Sequence, residues 1–257
     1  MSAPSSCATL LLVHGAWHGS WCWQRVMPLL AERGIRAHTL ELPSVHGAES
    51  PDAQASLARG AALSADASAV RSLLDSLGGP VILCGHSYGG MVISLAADAR
   101  VRELIYLCAF VPEAGESLVA AGGGRDAPWI QMLEGGLTLP DQRQAAQVFY
   151  ADCDADTQRW AIAHLKPQLA AAFSEPVPHP AWQRAPSTYM VCAQDGAIPP
   201  ELQRQTFAPR AGRVLELDTG HSPFLSNPRA LADALTHVVH EPGAGRLLKR
   251  TGLASAP

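Results

Sequence analysis

Residues 80–100 read PVILCGHSYGGMVISLAADAR. The apolar run Val81–Cys84 meets a segment of helical spacing through a junction of small residues, with Ser87 at its middle. A continuous apolar run bounded in this way reads as a strand buried on both faces of a parallel sheet. A tight turn alone would explain Gly85, Gly89 and Gly90. It would not explain a hydroxyl at the carboxyl end of a sheet strand, the edge at which open α/β sheets bind ligands.

The same alternation extends along the chain. Residues 8–13, 36–42, 103–110, 187–193 and 213–218 read as further strands. Residues 20–34, 63–79, 88–99 and 228–241 read as helices, two of them stopped by glycine and the last opened by Pro228. The expected fold class is α/β: a mostly parallel six-stranded sheet covered by helices on both faces. Residues 111–186 hold no convincing strand. They are expected to form a small, mainly helical cap inserted between the fourth and fifth strands, entered and left through Gly- and Pro-rich loops. The core is then 1–110 with 187–257.

Composition narrows the function. Of the 257 residues, 47% are hydrophobic and 16% charged, and the net charge is -4. This suits a well-cored domain and offers no basic face for nucleic acid. The one basic cluster, RLLKR, lies in a Gly-, Ala- and Pro-rich tail expected to be a loosely ordered end. None of the six cysteines forms a CxxC pair, so free thiols are expected rather than disulfides or zinc. The start of the chain lacks the pattern of a signal peptide, and no apolar run approaches the ~20 residues of a membrane span. A cytoplasmic location follows by default. Oligomeric state is open, a homodimer being one option.

Gly85–Gly89 is a G-x-S-x-G motif in a strand–turn–helix context. It resembles the nucleophile elbow of the α/β-hydrolases, whose chain order is Ser, then Asp or Glu, then His. A serine hydroxyl needs a base. Asp195 follows the fifth strand and His221 the sixth, both in loops at the same edge as Ser87. Asp218 is the rival acid, but it lies at a strand end only three residues before His221. The backbone N–H groups of Ala16, in VHGAW after the first strand, and of Tyr88 are the candidate oxyanion hole. Trp17, Tyr88, Trp129 and Ser222 are the candidate substrate-pocket residues. His14 and His18, in a loop with no nearby carboxylate, make a poor metal site. His86 is expected to pack beneath the elbow, His46 to border the pocket and His164 to lie on a cap surface.

Taken together, LLVHGAWHGSWCWQRVMPLLAERG, GHSYGGMVISLAAD, AQDGAIPPELQ and GHSPFLSNP resemble, in order, the α/β-hydrolase subfamily of plant methylesterases, salicylate-binding esterases, hydroxynitrile lyases and related bacterial esterases. The resemblance spans about residues 8–240 and is weakest across the insertion. It implies a six-stranded core, a small cap and the triad Ser87, Asp195 and His221. The lyases of this group carry threonine after the oxyanion-loop histidine and lysine after the catalytic one. Gly15 and Ser222 stand at those places here, and both departures favour hydrolysis. The expected activity is a cofactor-independent serine carboxylesterase acting on small to medium esters, methyl or aryl esters among them. A carbon–carbon lyase on the same scaffold and a non-catalytic small-molecule receptor are the alternatives.

Overall fold

The computed structural model describes residues 9–47, 51–124, 127–243 and 249–250. The six expected strands form one parallel sheet: β1 (Thr9–Val13), β2 (Ala37–Thr39), β3 (Val81–His86), β4 (Val101–Leu107), β8 (Ser187–Cys192) and β9 (Arg213–Leu217). A two-residue strand, β10 (Lys249–Arg250), extends it, in the order β10-β9-β8-β4-β3-β1-β2. The tail expected to be a loose end therefore contributes an edge pairing, which satisfies backbone groups of β9; 244–248 and 251–257 lie outside the described residues.

Every residue of β1, β3 and β8 is buried. This is why those runs read as continuous rather than alternating apolar sequence. β9 alternates buried and half-buried residues, as a strand near an edge should. Inside the sheet, Arg213 and the 1% exposed Glu103 form an ion pair at 2.8 Å, and Glu103 also accepts the Gly243 N–H at 2.9 Å.

The helices Ala62–Leu77, Gly89–Ala96 and Pro228–His240 lie where the sequence puts them. The stretch 20–34 does not form one helix. It divides into a 3₁₀ turn, Ser20–Trp23, and a helix, Met27–Glu32. Pro28, which has no N–H to donate, sits in the first turn of that helix rather than in its interior.

The insertion between β4 and β8 departs further from expectation. Helices Gln142–Phe149 and Ala155–His164 start at the side-chain caps of Asp141 and Asp154. Three short strands were not anticipated: β5 (Ile130–Leu133), β6 (Leu137–Pro140) and β7 (Gln168–Leu169) form an antiparallel sheet. Gly135 and Gly136, at φ 73° and 71°, turn the β5–β6 hairpin.

The strand order locates the site. From β1 the chain moves out to β2, then crosses back to β3 on the other side of β1. The loops after β1 and β3 thus flank the reversal point, where the carboxyl edge of an open sheet leaves a crevice.

Candidate active site

Ser87 follows β3 with φ 53°, in the left-handed region that non-glycine residues rarely occupy. Packing explains the glycines around it. A Cβ on Gly85 would lie 2.4 Å from the Gly89 carbonyl oxygen, and one on Gly89 would lie 2.7 Å from that of Val13. Backbone cannot yield as a flexible side chain can. The turn is held by the core: the Ser87 N–H donates to the Leu107 carbonyl at 3.2 Å, and its own carbonyl accepts from Gly90 at 3.0 Å and Phe110 at 3.2 Å.

Three residues past β8, Asp195 is held by four donors. Oδ1 accepts from the N–H groups of Ala197 and Ile198 at 2.7 and 2.9 Å. Oδ2 accepts from Gln203 Nε2 at 2.9 Å and from His221 Nδ1 at 2.8 Å. Both side chains of the Asp195–His221 pair are buried. Because Nδ1 carries the proton given to Asp195, Nε2 is the nitrogen free to act as a base. Asp218 instead faces Gln194, which donates to it at 2.7 Å. His86 lies beneath the elbow and donates through Nε2 to the His221 carbonyl at 2.9 Å.

The loop after β1 approaches the elbow closely. A Cβ on Gly15 would lie 2.7 Å from His86 Nδ1 and 3.0 Å from Ser87 Cβ. Two imidazoles orient this loop. His14 Nδ1 donates to the Gly15 carbonyl at 2.8 Å, and His18 Nδ1 donates to the Ala16 carbonyl at 2.7 Å. A trans peptide points its N–H opposite to its C=O, so anchoring the Gly15 carbonyl turns the Ala16 N–H the other way. Among the described residues, neither the Ala16 nor the Tyr88 N–H has a hydrogen-bond acceptor.

Burial lowers His14 to a pKa of about 4 and His18 to about 3, so both rings are neutral near pH 7. Each therefore has one donor and one acceptor nitrogen. His14 Nε2 accepts the Leu42 N–H at 3.2 Å, and His18 Nε2 accepts the Tyr150 hydroxyl at 2.8 Å. No carboxylate adjoins this loop in the sequence, but in the fold Glu41 lies 3.9 Å from His14 and 2.8 Å from His46. With both His14 nitrogens engaged, His14, Glu41 and His46 do not make a ready metal site.

A cavity of about 160 Å³ opens beside Ser87. The core contributes Ala16, Trp17, Ser87 and Tyr88 to its wall, and the insertion contributes Trp129, Phe149 and Phe173. None of its described lining residues is charged. Three of the candidate pocket residues, Trp17, Tyr88 and Trp129, thus line it. Ser222 does not: it is fully buried just ahead of the helix Pro223–Ser226, and among the described residues its Oγ has no hydrogen-bond partner. His46 borders a separate cavity beside Glu41. Phe149 covers the His221 ring at 5.6 Å between centroids.

Sequence reasoning missed a buried polar cluster behind the wall. Asp66, on the helix Ala62–Leu77, accepts from the Ser44 N–H at 2.8 Å, the Ser44 hydroxyl at 2.6 Å and the Tyr88 hydroxyl at 2.6 Å. Burial, outweighing these donors, raises Asp66 to a pKa of about 7. The one sequence signal was an acid on the apolar side of that helix.

Residues 10–234 match the model of a family described as the alpha/beta hydrolase family. Similar proteins include the carbendazim hydrolyzing esterase of Nocardioides sp. (strain SG-4G), 30% identical, with 89% of this chain and 98% of that one covered. They also include the alpha-hydroxynitrile lyase of Arabidopsis thaliana, 26% identical, with 89% and 95% covered. The crystal structure of a pyrethroid hydrolase from Sphingobium faniae JZ-2 has a TM-score of 0.76 at 25% identity, covering 91% of this chain and 98% of that chain. Esterase and lyase both stand among the relatives, as the motif resemblance implied. With the family model matched over most of its length, the chain belongs to the alpha/beta hydrolase family.

Proposed function

We propose that the protein is a serine-dependent carboxylic ester hydrolase that needs no cofactor. The observation that carries this reading is the buried His221–Asp195 pair, with Nδ1 at 2.8 Å from Oδ2, at the same sheet edge as a serine on a nucleophile elbow. Ser87 Oγ attacks the ester carbonyl while His221 Nε2 takes its proton. Charge develops on the carbonyl oxygen and is met by the N–H groups of Ala16 and Tyr88. The intermediate collapses, His221 returns the proton to the departing alcohol, and an acyl-enzyme remains on Ser87. Water, deprotonated by His221, releases the acid. Asp195 holds the imidazole in the required tautomer and stabilises its charged form.

The cavity wall supports a neutral substrate. Aromatic and aliphatic groups surround it, with no charged side chain among its described lining residues; a small to medium ester with an apolar or aryl group fits that chemistry. The similarity to an esterase that hydrolyses carbendazim and to a pyrethroid hydrolase points the same way. A lyase relative leaves a second chemistry in view. Hydrolysis is favoured here because none of the described residues lining the cavity carries a positive charge to receive a cyanide leaving group.

Ser87→Ala is expected to lower p-nitrophenyl ester hydrolysis by about 10³-fold or more, to the level left by binding and oxyanion stabilisation alone, with the melting temperature unchanged. A wild-type protein that hydrolyses no member of a broad ester panel would sink the proposal. So would a Ser87→Ala variant of undiminished activity.

A further inference from the structure

Trp17 follows Ala16, one of the two proposed oxyanion donors. Its backbone stands at φ 60°, where a bulky side chain persists only if the surroundings hold it. Every polar group of Trp17 is held by the insertion. Its N–H donates to Gln168 Oε1 at 2.9 Å, and its carbonyl accepts from the Lys166 N–H at 2.9 Å. Its indole N–H donates to Thr138 Oγ1 at 3.0 Å, and the Thr138 hydroxyl donates onward to the Gln168 carbonyl at 3.1 Å.

Gln168 is fully buried, a position that disfavours an amide unless it is bonded. Its second bond runs the other way: Nε2 donates to Ser44 Oγ at 2.9 Å. Ser44 donates to Asp66, which also accepts the Tyr88 hydroxyl. One hydrogen-bonded chain therefore leads from the residue beside the Ala16 donor to the side chain of the Tyr88 donor. Its central member belongs to the cap.

We propose that Gln168 is a positioning residue for the oxyanion hole: by bonding the Trp17 N–H and Ser44 together, it sets the angle at which the Ala16 N–H meets the reacting oxygen. Docking of the cap and completion of the hole are then one event. The proposal rests on the reading of Ala16 and Tyr88 as oxyanion donors. A hydrogen bond to developing charge is sensitive to such placement, and a misplacement of about 1 Å can cost about a hundredfold in rate.

Gln168→Met keeps the length of the side chain and removes both bonds. The readout is phosphonylation of Ser87 by a fluorophosphonate probe. Ser87 Oγ bonds to phosphorus, fluoride leaves, and the phosphoryl oxygen occupies the oxyanion position, so the natural ester need not be known. The second-order labelling rate is expected to fall about 10–100-fold in Gln168→Met, while the Kd of p-nitrophenol, which needs the cavity but not the oxyanion donors, stays near the wild-type value. Arg210→Ala is the control. It breaks the ion pair at 2.9 Å with Glu113, where the insertion begins, and is expected to label at the wild-type rate. Melting curves verify that folded variants are compared. If Gln168→Met does not fold, Ser44→Ala keeps the Trp17 bond but frees the far end of the amide, and is expected to show a smaller loss.

Labelling of the Gln168→Met variant at the wild-type rate overturns the assignment, as does equal slowing in Gln168→Met and Arg210→Ala, or an unaffected Ser44→Ala should that variant be the one tested. A wild-type Ser87 that the probe does not label overturns the ester-hydrolase reading itself.

Discussion

Ser87 and Trp17 both occupy left-handed backbone space, at φ 53° and 60°, but different parts of the molecule hold them there. The Ser87 backbone is bonded to Leu107 of β4, to Gly90 of the helix that follows it and to Phe110 in the loop after β4. The Trp17 backbone is bonded to Lys166 and Gln168, both from the insertion. The elbow is therefore a property of the core. The proposed oxyanion loop is a joint property of core and cap. The cap also reaches the loop that carries His221, where Asp152 accepts the Gly220 N–H at 2.6 Å. A fold of this kind can keep its nucleophile mount rigid while the surrounding wall changes, provided the new wall still supplies these polar contacts.

The core-held side of this pair is most vulnerable at Gly85. A Cβ there would meet backbone at 2.4 Å, with no flexible side chain to move aside. Gly85→Ala is expected to destabilise by about 3 kcal/mol, the upper part of the range for overpacking, and to abolish labelling of Ser87. Urea unfolding measures the first effect; a midpoint unchanged from wild type would show that the elbow is not held by this contact.

Asp66 offers a further test, because it holds the Tyr88 hydroxyl. Its carboxyl has an ordinary value of 3.8, raised to about 7 in the fold by burial. Below about pH 4 it is protonated in both folded and unfolded chains. Between about 4 and 7 only the folded chain keeps the proton. Wild-type stability therefore falls as pH rises through that window, by at most about 1.4 kcal/mol per pH unit from this group, and the loss is complete above the folded value. Asp66→Asn removes this contribution. The stability of wild type relative to the variant should be higher at pH 4 than at pH 8. Parallel pH profiles of the two proteins would show that the brace does not titrate there.

The smallest effect is expected at the outer face of the cap hairpin. Met132 is 65% exposed, and Met132→Ser should change stability by no more than about 0.5 kcal/mol and leave the labelling rate unaltered. A larger change would assign that face a part in holding the proposed oxyanion loop.

Much of this arrangement is legible in the chain before it folds. The period of the apolar residues exposes β1, β3 and β8, because strands buried on both faces need no polar positions. The glycine spacing around Ser87 exposes the elbow, since a turn whose Cβ positions are filled by backbone admits no other residue. The chain order of the family then makes Asp195 and His221 the candidate partners of Ser87. The cap is harder to read. Its strands are two to four residues long, too short for alternation to show. Ser222 shows a related limit. Its sequence position beside His221 suggests the pocket, but the helix starting at Pro223 turns it into the interior.

The sequence therefore settles local matters in the core: which of its segments are strands and helices, and where the turns between them are tight. Those follow from patterns within about ten residues of chain. Tertiary structure alone decided that Trp17 would be held by Gln168, 151 residues away, and that Asp66 would brace Tyr88. Such bonds leave little trace in sequence, because a buried glutamine or aspartate is tolerated only where distant partners converge on it, and no local pattern encodes that convergence.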